Sequence, residues 1–145
     1  MSAESNEAAA RRVYAALNDG DLDGLDEVLA PDCVSHDPAE PEDVRGVDAQ
    51  KERIQGYRTA MSDLNVAVEE LIATDDAVIT RWRAIGTNDG ELAGMPATGR
   101  RVETTGMTID HFDSEGRIAE SWDQWDNAGF MQQLGIGAEA LAEAG

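Results

Sequence analysis

The sequence predicts a single α+β domain in which helices come first and a run of antiparallel strands follows. Its curved sheet wraps around the N-terminal helices and leaves a cone with an open mouth. Three observations predict it. As far as Met61, apolar residues recur at helical spacing. From Asn65 onward they alternate or sit among β-branched neighbours. Two turn signals, Asn88-Asp89-Gly90 and Asp113-Ser114-Glu115-Gly116, break this second half into hairpins.

Residues 4–18 read as a helix, with Ala9, Val13, Ala16 and Leu17 at helical spacing and Asn18-Asp19-Gly20 as its stop. Asp21 can cap a second short helix that carries Leu22, Leu25, Val28 and Leu29 on one face and ends at Pro31. Cys33 to His36 is a short extended piece closed by Asp37-Pro38, and the acidic, proline-bearing stretch from Ala39 to Arg45 reads as a mobile loop. A third helix runs from Asp48 to Met61 with Ile54, Tyr57 and Met61 on its inner side. Strands are expected over Asn65–Ala73, Ala77–Thr87, 99–112 and 117–125, then a helix over 127–134 with Asp126 as its N-cap. The domain is expected over 1–135, and the Ala/Glu/Gly-rich tail over 136–145 is either a frayed helix or disordered.

Composition narrows the function. The chain has 145 residues and 41% hydrophobic content, enough for one core, and no apolar run long enough to cross a membrane. The N-terminus has neither a basic start nor an apolar stretch, so no secretory signal is read there and a cytoplasmic location is expected. Cys33 is the only cysteine, which rules out an intrachain disulfide and reads as a small buried residue. The net charge is −19, and no basic patch offsets it, so nucleic acid is not an expected partner. Lys51 is the sole lysine among 11 basic residues. Such a balance suits a salt-rich cytoplasm, where ions screen the self-repulsion of an acidic fold, and a halophilic source is expected.

The hairpin around residues 113–116 carries the chemistry. Pairing Phe112 with Arg117 would set Thr108 opposite Ser121, Gly106 opposite Asp123, Met107 opposite Trp122 and His111 opposite Ile118. Alternation then puts Gly106, Thr108, Asp110, Ala119, Ser121, Asp123 and Trp125 on one face, and Met107, Ile109, His111, Ile118, Glu120 and Trp122 on the other. Either the second face is core and Asp123 meets water, or the Asp123 face is a pocket wall and the second face meets another subunit.

The stretch Gly94-Met95-Pro96-Ala97-Thr98-Gly99-Arg100-Arg101, the strand start Gly116-Arg117-Ile118, Trp122-Asp123 with Asp126 following, and Gln133-Leu134-Gly135 together resemble the SnoaL-like polyketide cyclases of the NTF2-like superfamily. Asn18-Asp19-Gly20 and Pro31-Asp32 extend the match more weakly over nearly the whole chain. The resemblance implies an NTF2-like cone and favours Asp123 as a pocket residue, since the family's catalytic aspartate falls there. It implies ring closure by intramolecular aldol condensation on a small, apolar, carbonyl-bearing substrate, with Asp123 as acid/base and no metal or organic cofactor. His36 falls near a polar pocket residue of the family and is expected either to hydrogen-bond a ligand oxygen or to form a dyad with Asp123 across the cavity, and Tyr14, Leu17, Trp82, Met95, Gly106, Thr108, Ser121 and Trp125 are expected to line it. A homodimer through the outer sheet face is expected, with a small molecule as the ligand.

The family pattern breaks at Thr108, where those cyclases carry a histidine or other polar group: threonine can donate a hydrogen bond but relays protons less well, and this leaves the reaction open. An isomerase, an epoxide hydrolase, a dehydratase or a non-catalytic binding module remains possible on the same pocket. Arg81 and Arg83 are weak candidates for the Asp-Arg-Asp arrangement of limonene-epoxide hydrolases, because no second acid has a convincing place. Two histidines and one cysteine are too few to specify a transition-metal site. No phosphate loop or serine elbow is present.

Overall fold

A computed structural model describes residues 2–135, so the expected tail over 136–145 lies outside the described residues. Helix α1 (Ala3–Asp19) starts with a reciprocal cap between Ser2 and Ser5 and stops at Gly20, whose φ of 79° is the left-handed turn that glycine adopts freely. Asn18 does more than end the helix. Its amide oxygen accepts from the Val66 N–H at 2.6 Å and its amide nitrogen donates to the Val66 carbonyl at 2.9 Å. Those bonds tie α1 to the backbone of an edge strand that has unpaired groups to offer.

Helix α2 is only the single turn Leu25–Val28, with Gly24 rather than Asp21 at its N-cap. The chain becomes strand β1 (Leu29–His36) directly after it. Pro31 therefore lies inside a strand and does not end a helix. The pairing of β1 shifts register between Leu29 and Val34, an irregular stretch where a residue without an N–H is tolerated. The expected loop includes β2 (Val44–Arg45), which pairs with β1. Helix α3 (Val47–Ala60), β3 (Asn65–Ala73), β4 (Ala77–Thr87), β5 (Arg101–Phe112), β6 (Ile118–Trp125) and α4 (Asn127–Gln133) follow. Asp126 caps α4 by accepting from the Gly129 N–H at 2.8 Å.

The six strands form one curved, unclosed sheet in the order β2-β1-β6-β5-β4-β3. Every neighbouring pair is antiparallel except β1 with β6, which is parallel. The mixed sheet corrects the all-antiparallel expectation. One buried cluster joins Ala9, Ala16, Leu25, Leu29, Cys33, Ile54 and Ile118, and a second joins Tyr14, Met61, Val66, Val102, Phe130 and Leu134. Cys33 is buried, and desolvation pushes its thiol pKa up.

The hairpin register differs from the expected one by two residues. Asp113 captures both backbone groups of Arg117: its N–H donates to the Arg117 carbonyl at 2.9 Å, and its carboxylate accepts from the Arg117 N–H at 3.0 Å. Arg117 thus belongs to the turn, and Phe112 pairs with Ile118. Ala119 is then an extra residue, because His111 pairs with Glu120. Each one-residue slip inverts the faces and two restore them. Thr108 therefore lies opposite Asp123, and Asp110 opposite Ser121. Ile118, between the two slips, points inward and is 2% exposed, whereas it was expected outside.

Candidate active site

The concave face of the sheet, α1 and α3 enclose a cavity of about 160 Å³ whose wall is mostly apolar. Its polar groups sit where β5 and β6 face each other and where Arg53 reaches in from α3. The Thr108 hydroxyl donates to Asp123 Oδ1 at 2.6 Å, and the Trp82 Nε1–H donates to Thr108 Oγ1 at 3.0 Å. An indole N–H can only donate, so the Thr108 oxygen accepts and its proton is committed to Asp123. The other Asp123 oxygen meets Arg53 Nη1 at 3.3 Å.

Arg53 is the hub. Its Nη1 also bonds Asp37 Oδ2 at 3.0 Å, and its Nη2 donates to Gln50 Oε1 at 2.8 Å. Gln50 in turn donates to Ser35 Oγ at 2.7 Å, and Trp125 Nε1 donates to Asp37 Oδ1 at 3.0 Å. The Asp37 and Asp123 side chains are only 5% and 14% exposed. Burial pushes the Asp123 pKa up against the opposing pull of Arg53 and Thr108, and the nearby Asp37 charge adds to the rise.

A second acid lies deeper. Asp110 is 6% exposed, lines the cavity and accepts from the Ser121 hydroxyl at 2.6 Å. Burial raises its pKa to about 7, the Ser121 bond opposes the rise, and the Asp123 charge reinforces it.

Of the residues expected at the site, Asp123, Tyr14, Leu17, Trp82, Thr108, Ser121 and Trp125 line this cavity, and His36, Met95 and Gly106 do not. His36 lies on the outer face, with Nε2 at 2.7 Å from Glu120, Nδ1 at 2.9 Å from Asp43 and its ring stacked on Trp122 at 3.9 Å. The expected His36–Asp123 dyad is thereby corrected. Strand alternation sends Ser35 and His36 to opposite faces, and inward Ser35 lines the cavity. Met95 closes a small bridge with Leu92 in the loop before β5. Gly106 contributes absence: an added Cβ would strike the Trp82 ring and lie 2.7 Å from the Trp125 Cβ, so glycine admits both indoles.

Arg81 and Arg83 are also outside, paired with Glu69, Glu70 and Glu103. Sequence reading passed over Arg53, Gln50 and Asp37, and gave Asp110 no role. The signal for two of them was on α3. Gln50 and Arg53 share helical spacing with Ile54 and Tyr57, and a charged residue on a buried helix face needs partners. Among the described residues, no three His, Cys, Asp or Glu side chains gather to hold a metal ion.

The profile of the SnoaL-like polyketide cyclases matches residues 7–134. The chain belongs to this family. Aklanonic acid methyl ester cyclase DauD of Streptomyces sp. (strain C5) is 30% identical over 86% of this chain and 78% of its own. The cyclase of the same name AcmA from Streptomyces galilaeus is 28% identical over 88% of this chain and 89% of its own. TsrD of Streptomyces laurentii superposes with a TM-score of 0.80 at 29% identity, covering 91% of this chain and 96% of its own. IdmH, a putative polyketide cyclase from Streptomyces antibioticus, gives 0.74 at 32% identity over 90% of this SnoaL-like chain and 99% of its own. The curved six-stranded sheet with its helices is thus the SnoaL/NTF2-like fold, and no helix among the described residues is long and apolar enough to cross a membrane.

Proposed function

We propose that this protein closes a carbocyclic ring by intramolecular aldol chemistry with Asp123 as acid/base. The carrying observation is a largely buried carboxylate on the cavity wall, fixed at one oxygen by a hydroxyl whose proton Trp82 commits to it. Asp123 takes a proton from the carbon beside a carbonyl, and the electron pair moves onto that carbonyl oxygen. The enolate carbon attacks a second carbonyl of the same molecule and forms the new C–C bond. Asp123 then returns its proton to the resulting alkoxide. A raised pKa makes Asp123 a stronger base and a usable acid. The proton leaves and returns on one side chain, so this cycle requires no metal or organic cofactor.

Three relatives named aklanonic acid methyl ester cyclases supply the test substrate. Incubation with aklanonic acid methyl ester should give a ring-closed isomer, and in deuterated water the substrate recovered early should carry deuterium at the reacting carbon. Neither product nor exchange would sink this reading, and tight binding of the ester without either would favour a binding module.

One observation favours a second reading. Arg53 holds Asp37 and Asp123 at 3.0 and 3.3 Å, the Asp-Arg-Asp order of limonene-epoxide hydrolases. On that reading Asp123 activates water to open an epoxide, and diol formation from limonene epoxide is the test. The outer face also supports a homodimer, with Met107, Ile109 and Trp122 exposed by 50%, 37% and 45%. Sedimentation should show a dimer that Trp122→Glu dissociates, and a monomeric parent protein would contradict it.

A further inference from the structure

Asp110 is a buried carboxyl that the proposed cycle does not use. It lines the same cavity as Asp123, and among the described residues no arginine, lysine or histidine forms an ion pair with it. The charged and titratable groups around it are Asp123 on β6, Arg53 on α3 and Tyr14 on α1. Its one bonded oxygen accepts from Ser121 at 2.6 Å. A buried carboxyl with no ion-paired cation avoids the cost of desolvating its charge by keeping its proton. The second oxygen is then a donor.

Position gives that donor a use. Asp110 stands two residues along β5 from Thr108, the residue opposite Asp123. Strand geometry sets their backbones about 7 Å apart on one face. That spacing suits one substrate, with its acidic carbon at Asp123 and the adjoining carbonyl oxygen deeper, toward Asp110.

We propose that Asp110, as a neutral carboxylic acid, donates a hydrogen bond to the substrate carbonyl oxygen that becomes the enolate oxygen when Asp123 takes the carbon proton. The proton of Asp110 stays on Asp110 through the step, and the bond strengthens as negative charge develops on the oxygen. Its upward-shifted pKa, about 7, keeps it protonated beside a carboxylate that must be ionised. The assignment rests on the aldol reading for the identity of the oxygen, and on the cavity alone for the site.

The test uses 4-nitrophenol, whose phenolate mimics an enolate oxygen and absorbs apart from the phenol. Binding to the full-length protein is titrated from pH 5 to pH 9. Phenolate affinity should fall as pH rises through about 7, where Asp110 loses its proton. Asp110→Asn keeps a donor that cannot titrate, so this alkaline loss should vanish. Asp110→Leu should weaken binding about tenfold below pH 7, where Asp110 carries its proton. Equal pH profiles for the parent protein and Asp110→Asn would overturn the assignment, as would unweakened binding by Asp110→Leu or no binding by the parent protein. Because 4-nitrophenol is not turned over, a failed cyclisation assay with Asp110-dependent binding removes the reaction and keeps the site. The converse result removes the site and keeps the reaction.

Discussion

Thr108 and Asp123 face each other across β5 and β6, and the Thr108 hydroxyl donates to Asp123 Oδ1 at 2.6 Å. Thr108→Val preserves shape and removes that donor. A hydrogen bond to a charged group contributes about 1.5–3 kcal/mol, so turnover should fall roughly 10- to 100-fold. The acid limb of the pH–rate profile should move upward, because the carboxylate loses a bond that favours ionisation. Thr108→Ser should retain most activity. An unchanged profile for Thr108→Val would show that the hydroxyl does not act on Asp123.

Arg53 is bonded to two carboxylates that are nearly out of water. Arg53→Met should therefore destabilise the fold by about 3–5 kcal/mol, since it leaves buried charge uncompensated. Urea denaturation measures this as a lower midpoint. Adding Asp37→Asn should recover part of the loss by removing one orphaned charge. A double variant no more stable than the single one would contradict the ion-pair account.

Asp110 makes a signed prediction about stability and pH. Its folded-state pKa, about 7, lies above the ordinary aspartate value of 3.8, so between those values the folded state binds the proton that the unfolded state has lost. Stability is then highest at low pH with respect to this group and declines from about pH 4 to pH 7, by up to a few kcal/mol. Asp110→Asn should flatten that decline and be the more stable protein at pH 8. Parallel stability curves for the two proteins would contradict it.

Gly106→Ala tests the packing of the wall. The added methyl group meets the Trp82 ring and the Trp125 Cβ, so both indoles must shift. Overpacking of this kind costs about 1–3 kcal/mol. The Trp82 to Thr108 bond should weaken with it, and turnover should fall although residue 106 does not line the cavity. Unchanged midpoint and unchanged turnover would show that the wall has slack.

The acidic surface carries a proposal of its own. A net charge of −19 with a single lysine suits a salt-rich cytoplasm. The urea midpoint should rise from low to molar KCl as self-repulsion is screened. A midpoint independent of KCl would refute the halophilic reading.

The fold was legible because helical and strand periodicities change over between Met61 and Asn65, and local signals set most element ends. What escaped depends on long-range geometry. Nothing near Pro31 announces that β1 will pair in parallel with β6, far along the chain. The hairpin faces survived a wrong register only because a turn shift and a bulge at Ala119 add to two residues. His36 was misplaced because a strand of unknown partner has two equivalent faces until tertiary packing chooses one. Arg53 escaped because the α3 pattern was read for its apolar members alone.

Asp123→Asn tests the central claim most directly. The variant keeps the shape of the side chain and removes the base, so its binding of aklanonic acid methyl ester should persist. Its rate of ring closure, and of deuterium uptake at the reacting carbon, should fall to the level of protein-free solution. Ring closure by Asp123→Asn at the rate of the parent protein would contradict the account.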